Sequence, residues 1–294
     1  MSAKGKILRL ATYMCPGIPV EYYEFLAEYL EQELGLHTEL LYSSRSRGPD
    51  PTRGDEDRID LAFVSTVAYL EKYKSSSSNF QLLSVGAETI HPTKGPVLGY
   101  YSDILVHRDV RERVKEFYDI RGCKFVHARE NSLASNRLVL RQLKQMGEDA
   151  SFFGDIQGLA YSAIFVASMF VTASGDHMSS IEMVVSKKAE VAVVDSHSLA
   201  NYLTRHYYQK PELHVQVSWG PLPPHPIIIN TRIPGELRQR IEEALLNLHK
   251  KSEWRTTLEK FSITSFQKLS FDNYLEAIDI LDSTKSLSFG ITYY

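Results

Sequence analysis

Lys94–His107, KGPVLGYYSDILVH, decides how this chain is organised. A Gly-Pro pair enters an apolar, aromatic and β-branched run, which is the composition of a strand bounded by a turn. A second Pro-rich crossing follows far downstream at Trp219–Ile229, WGPLPPHPIII. Together they predict two crossover strands joining two α/β lobes, with a ligand cleft between the lobes. The first lobe then holds residues 1–98 and 220–294, and the second holds the inserted residues 99–219.

Working outward, Lys6–Thr12 (KILRLAT) reads as a strand that ends at the turn signal of Pro16-Gly17. Val20–Leu34 places Tyr22, Tyr23, Leu26, Leu30 and Leu34 at helical spacing, with Glu21, Glu24, Glu28 and Glu31 mostly on the other side and Gly35 as the stop. His37–Tyr42 follows as a second strand, so the chain begins β-α-β, the unit of a parallel sheet. Ser43–Asp57 is polar and rich in Gly and Pro, a predicted loop; Ile59–Val64 is a buried strand, and Ser65-Thr66 cap a helix over Val67–Tyr73. Phe80–Glu88 (FQLLSVGAE) leads into the first crossover. Beyond it come a short helix at Val110–Tyr118, a strand at Cys123–Ala128, and a polar turn opening a helix that ends near Met146-Gly147. Glu190–Asp195 is a further strand, followed by a helix through Leu203. Helices are then predicted at Pro234–His249, Trp254–Phe261 and Asn273–Leu281.

With 294 residues, 43% of them hydrophobic, the chain has material for two ordinary domains with real cores. A net charge of -3 provides no global field for a polyanion, so nucleic acid is excluded as the main partner. Two cysteines, Cys15 and Cys123, do not make a disulfide framework and fit a reducing compartment. The opening MSAKGKILRLATYM lacks the apolar core and cleavage site of a secretory signal, which predicts a cytoplasmic protein. The apolar run Leu159–Val171 has 13 residues, short of the ~20 that cross a bilayer, so no membrane insertion is expected.

The chemistry lies in hydroxyl-bearing turns that lead into helices: Ser65-Thr66, Ser132 to Ser135-Asn136, Ser196 to Ser198, and Thr172–His177. Free N–H groups and the positive dipole end make a helix start attractive to anions. In open α/β sheets ligands lie beyond the carboxyl ends of the strands, where these turns fall. Any one of them alone reads as an ordinary cap; their number in a two-lobed layout points to an oxyanion or other small polar ligand. No cofactor or metal motif occurs.

In their order these motifs resemble the phosphonate-binding proteins of ABC importers, of the type II periplasmic binding protein fold. The segments that carry the resemblance are Arg58–Tyr69 (RIDLAFVSTVAY), Tyr100–His107, Phe125–Arg141 (FVHARENSLASNRLVLR), Ser174–Val184 (SGDHMSSIEMV), Glu190–Ser196, Trp219–Asn230 and Phe266–Tyr274. The resemblance implies a ligand held by Tyr13, Ser65, Thr66, Tyr100, Ser132, Ser135, Asn136, His177 and Asp195. The serines, Thr66 and Asn136 would grip the oxyanion, and Tyr13 and Tyr100 would wall the cleft. His177 and Asp195 would meet a cationic or hydroxyl end, or else serve only as turn packing and helix cap. The family's members are exported, whereas no leader is read here, so the resemblance implies the binding role rather than a transporter partner.

Two other readings stand beside it. Some proteins of this fold are enzymes, such as the pyrimidine-forming enzymes of thiamin synthesis, and Cys15 with His91, His177, His197 or His225 could supply nucleophilic or acid–base chemistry. No catalytic signature accompanies these residues. A scaffold whose cleft is filled by Leu159–Val171 is the third.

Overall fold

The expected opening unit is present as β1 (Ile7–Thr12), α1 (Val20–Leu34) and β2 (His37–Leu41). Helix α1 buries Tyr22, Tyr23, Leu26, Leu30 and Leu34 and leaves Glu21, Glu24 and Glu28 exposed. It ends where Gly35 enters the left-handed region at φ 63° and its N–H donates to the Glu31 carbonyl, the conformation a residue without Cβ adopts at least cost. The computed structural model describes residues 7–15, 17–41, 58–73, 78–154 and 171–289. The expectations for Ser43–Asp57 and for all but the last residue of Leu159–Val171 lie outside them.

Next come β3 (Leu61–Phe63), the short α2 (Thr66–Ala68, continued by one wide turn over Tyr69–Tyr73), β4 (Phe80–Leu82), β5 (Val85–His91) and β6 (Gly95–Leu98). The middle of the chain forms β7 (Tyr100–His107), β8 (Phe125–His127), α3 (Leu138–Gln145), β9 (Val171–Ala173), α4 (His177–Val185), β10 (Val191–Asp195), α5 (Ser196–Arg205) and β11 (Leu213–Leu222). The chain then adds β12 (Ile227–Asn230), α6 (Gly235–Asn247), α7 (Ser252–Glu259), β13 (Ile263–Lys268) and α8 (Leu275–Thr284).

These elements sort into two units: Met1–Gly99 with Pro223–Leu275, and Tyr100–Leu222 with Glu276–Tyr294. In the first, a mixed sheet runs β2-β1-β3-β12-β4, with β1 parallel to β2 and β3 and with β12 antiparallel to its neighbours. Strand β3 is apolar throughout (LAF) and β12 nearly so (IIIN), as burial on both faces requires, while edge strand β2 is half exposed. A second sheet, β13-β5-β6, belongs to the same unit. Phe80–Glu88, expected as one strand, is therefore two: β4 pairs with β12 and β5 with β13, so the segment breaks at Leu83-Ser84 to serve two sheets.

The second unit is built on the sheet β11-β7-β10-β8-β9. Its side chains alternate strictly between two cores: Ile104, Val106, Phe125, Val191 and Val193 on one face, and Leu105, Val126, Ala192 and Val194 on the other. The helix expected at Val110–Tyr118 is replaced by tight turns at Arg108–Val110 and Phe117–Ile120. The Asp119 carboxylate accepts the Lys115 and Glu116 N–H groups, which takes them from a helical ladder, and of Arg111–Glu116 only Val114 is buried.

The sequence reading assigned all of 220–294 to the first lobe, whereas residues from Glu276 on group with the second unit. Arg137 donates to the carbonyls of Thr284 and Leu287, Lys144 to that of Ser283, and Arg141 pairs with Asp279 at 2.7 Å. Phe289 is buried beside Phe125 and Phe153. Among the described residues no helix is long and apolar enough to cross a membrane.

Candidate functional site

Strand β8 ends in a turn whose two serines are bonded to its own backbone. Ser132 caps the helical run that begins at Leu133: its Oγ accepts the Ser135 N–H at 3.2 Å, and its carbonyl accepts those of Asn136 and Arg137. The Ser135 Oγ in turn accepts the Ala128 N–H at 3.1 Å and is fully buried. A serine hydroxyl that accepts one N–H keeps its own O–H to give. Each serine therefore accepts a backbone proton and still has its own O–H to donate, the property an anion needs.

A second turn, between β9 and α4, is stitched to the first. Ser174 N–H and Gly175 N–H donate to the carbonyls of His127 and Ala128 at 2.9 and 2.8 Å, and the Arg129 Nε donates to the Gly175 carbonyl. Gly175 takes φ +95°, open to glycine at little cost. Asp176 caps α4, accepting the Ser179 N–H and hydroxyl. The next residue, His177, is half-buried. Its Nδ1 accepts the Asp195 N–H at 3.3 Å, which leaves the ring proton on Nε2, and Nε2 lies 3.5 Å from Ser132 Oγ. Ser132, Ser135, Asn136 and His177, named from four sequence positions, are thus brought together.

Asp195, the last residue of β10, has the helix-cap role that the sequence offered as the alternative to a ligand contact. It is 1% exposed, and its Oδ1 accepts the N–H groups of His197 and Ser198 at 2.7 and 3.2 Å. It is the N-cap of α5. Tyr100 is buried at the start of β7, and its neighbour Tyr101 donates its N–H to Ser196 Oγ. The fully buried Ser102 donates to the Ala134 carbonyl at 3.0 Å, tying β7 to the Ser132–Asn136 turn.

The remaining expected residues lie in the first unit. Ser65 caps α2 through its Oγ, which accepts the Ala68 N–H at 3.2 Å. Thr66 is 1% exposed, and among the described residues its hydroxyl has no hydrogen-bond partner. Tyr13 is half-buried and donates its N–H to the Phe63 carbonyl.

Sequence reasoning missed His127. It sits at the carboxyl end of β8, fully buried, with Nδ1 3.4 Å from the Asn136 side-chain nitrogen. Burial pushes its pKa down to about 4, His177 adds to that depression, and the backbone of Arg129 opposes it. The signal was available: an imidazole closing an otherwise apolar strand, directly before a polar turn.

Two of the histidines considered as partners for Cys15, His91 and His197, have structural roles. His91 Nδ1 accepts the N–H groups of Thr93 and Lys94, and His197 is buried in the first turn of α5. Among the described residues no three His, Cys, Asp or Glu side chains form a metal-binding group. A groove of about 540 Å3 on the first unit is lined by Glu21, Glu24, Glu28 and Glu253 over Phe25 and Trp254. Its charge repels an anion.

A model of the family described as "ABC transporter, phosphonate, periplasmic substrate-binding protein" matches residues 17–274. Among solved structures, a binding protein component of an ABC phosphonate transporter from Pseudomonas aeruginosa superposes with a TM-score of 0.71 at 14% identity, covering 96% of this chain and 87% of that one. PhnD1 from Prochlorococcus marinus, in complex with methylphosphonate, gives 0.70 at 13% identity over 96% and 99%. A Xanthomonas citri protein bound to chloride gives 0.63 at 18% identity over 95% and 98%. These likenesses establish the type II periplasmic binding protein fold. No protein with a curated description matches the chain.

Proposed function

Because the chain belongs to the phosphonate-binding family of ABC-transporter substrate-binding proteins, we propose that it captures a small phosphonate- or phosphate-like anion, chiefly through the turn Ser132–Asn136 and His177. The observation that carries this reading is the arrangement of that turn. Two serine hydroxyls, each already accepting a backbone N–H, and the protonated Nε2 of His177 offer donors beside a helix start. On the first unit, Thr66 carries a buried hydroxyl that has no hydrogen-bond partner among the described residues, the kind of group a ligand would satisfy. Asp195 contributes through its cap and through the N–H that fixes the His177 tautomer. Delivery of the ligand to an ABC importer is the role the family description suggests.

Isothermal titration against methylphosphonate, inorganic phosphate and methanesulfonate tests the reading. The wild-type chain is expected to bind at least one of them. The double variant Ser132→Ala with Ser135→Ala is expected to bind it about 100-fold more weakly, as loss of two hydrogen bonds to a charged group predicts. No heat of binding with any of the three would remove the proposal.

A further inference from the structure

We propose that His127 is a positioning residue for the anion site: it holds the Asn136 side-chain amide, and so sets how that amide meets the ligand, without touching the ligand itself. The inference rests on the binding reading above and names a residue that reading does not contain.

The geometry is that of a bracket. The imidazole is fully buried, near-parallel to the Phe125 ring at 6.1 Å and packed against the Phe289 ring at 5.1 Å. Held on these sides, its ring meets two polar groups, the Asn136 amide at 3.4 Å from Nδ1 and the backbone of Arg129, while Nε2 has no hydrogen-bond partner among the described residues. Asn136 is itself 2% exposed, so its amide depends on a fixed partner for its orientation. A buried ring nitrogen without a partner costs stability. For packing alone, a phenyl ring between Phe125 and Phe289 would do better. What the imidazole adds is ring nitrogen that faces the Asn136 amide and the Arg129 backbone. Burial also keeps the ring neutral at ordinary pH, so one tautomer at a time faces the amide and the bond has a defined direction.

The C-terminal tail enters the same chain of contacts. Phe289 lies against His127, and Arg137, next to Asn136, donates to the carbonyls of Thr284 and Leu287. The tail therefore braces both the ligand turn and the residue behind it.

The test pairs two substitutions of opposite character. His127→Phe keeps the stacked ring and removes the nitrogen. It is expected to weaken methylphosphonate binding about three- to tenfold, the worth of one net hydrogen bond, with an unchanged or raised Tm. His127→Asn loses the ring and keeps a polar atom near the Nδ1 position; it is expected to lower Tm yet leave Kd within about twofold of wild type. In an N136A background H127F is expected to cost no further affinity, because the nitrogen then has no side-chain amide to hold. Should H127F not fold, His127→Leu, which is isosteric with H127N, takes its place in the comparison. An unchanged Kd in H127F, or the same weakening with and without Asn136, overturns the inference while leaving the binding reading intact. A wild-type chain that binds none of the three anions overturns the binding reading, and this inference with it.

Discussion

Replacing Asp195 separates a capping role from a ligand-binding one. The carboxylate is buried, and its Oδ1 accepts two N–H groups from the first turn of α5, those of His197 and Ser198, which are themselves 3% and 2% exposed. In Asp195→Ala the cap is lost, at about 1 kcal/mol. Because the same two N–H groups are then left in a dry environment, the cost rises toward about 3 kcal/mol. A total of about 3 kcal/mol corresponds to a fall in Tm of roughly 10 °C for a unit of this size. Asp195→Asn keeps an acceptor at the Oδ1 position and loses only the charge at the helix start, at about 0.3–1 kcal/mol, so its Tm falls by about 2 °C. Neither change removes the Asp195 N–H that fixes His177. Differential scanning fluorimetry gives the two Tm values, and isothermal titration gives the D195N affinity, expected within about twofold of wild type. The reasoning fails if D195A costs less than about 1 kcal/mol. It fails equally if D195N, with Tm intact, weakens binding tenfold, since the carboxylate would then face the ligand.

Two further outcomes follow from buried geometry. Folded His127 is held down at about 4 against an ordinary value near 6.5, so between those values the unfolded chain binds the extra proton. The stability His127 leaves intact above about pH 6.5 is lost as pH falls toward 4, by up to about 3 kcal/mol; urea midpoints of wild type and H127F, compared at pH 7 and pH 4.5, should differ most at the lower pH, and parallel profiles would refute the assignment. Gly86→Ala places a Cβ 2.5 Å from Pro224 Cγ, a rigid ring that cannot swing aside, so the first unit should lose about 1–3 kcal/mol, read as a lower urea midpoint at unchanged slope.

Much of the site was legible because caps are local. A Ser or Asp followed by a helical run satisfies N–H groups two or three residues away, so Ser65, Ser132 and Asp195 could be placed at element starts from the sequence. What each does there is a separate matter. Asp195 was open between ligand and cap, and only the buried His197 and Ser198 amides around its carboxylate give it the cap. His127 went unread because the sequence offers it an apolar strand, whereas its partners Asn136 and Phe289 arrive from nine residues on and from the far end of the chain.

The same division holds for the fold. The chain by itself determined the α/β class, the opening β-α-β unit and the glutamate-faced helix α1, since hydrophobic period and end signals act over one or two turns. The tertiary structure decided that Phe80–Glu88 breaks between two sheets, that Val110–Tyr118 yields its amides to Asp119, and that the tail from Glu276 joins the second unit. Each of these turns on which distant group satisfies a hydrogen bond or covers an apolar face, and such partners are chosen only when the chain has folded around them.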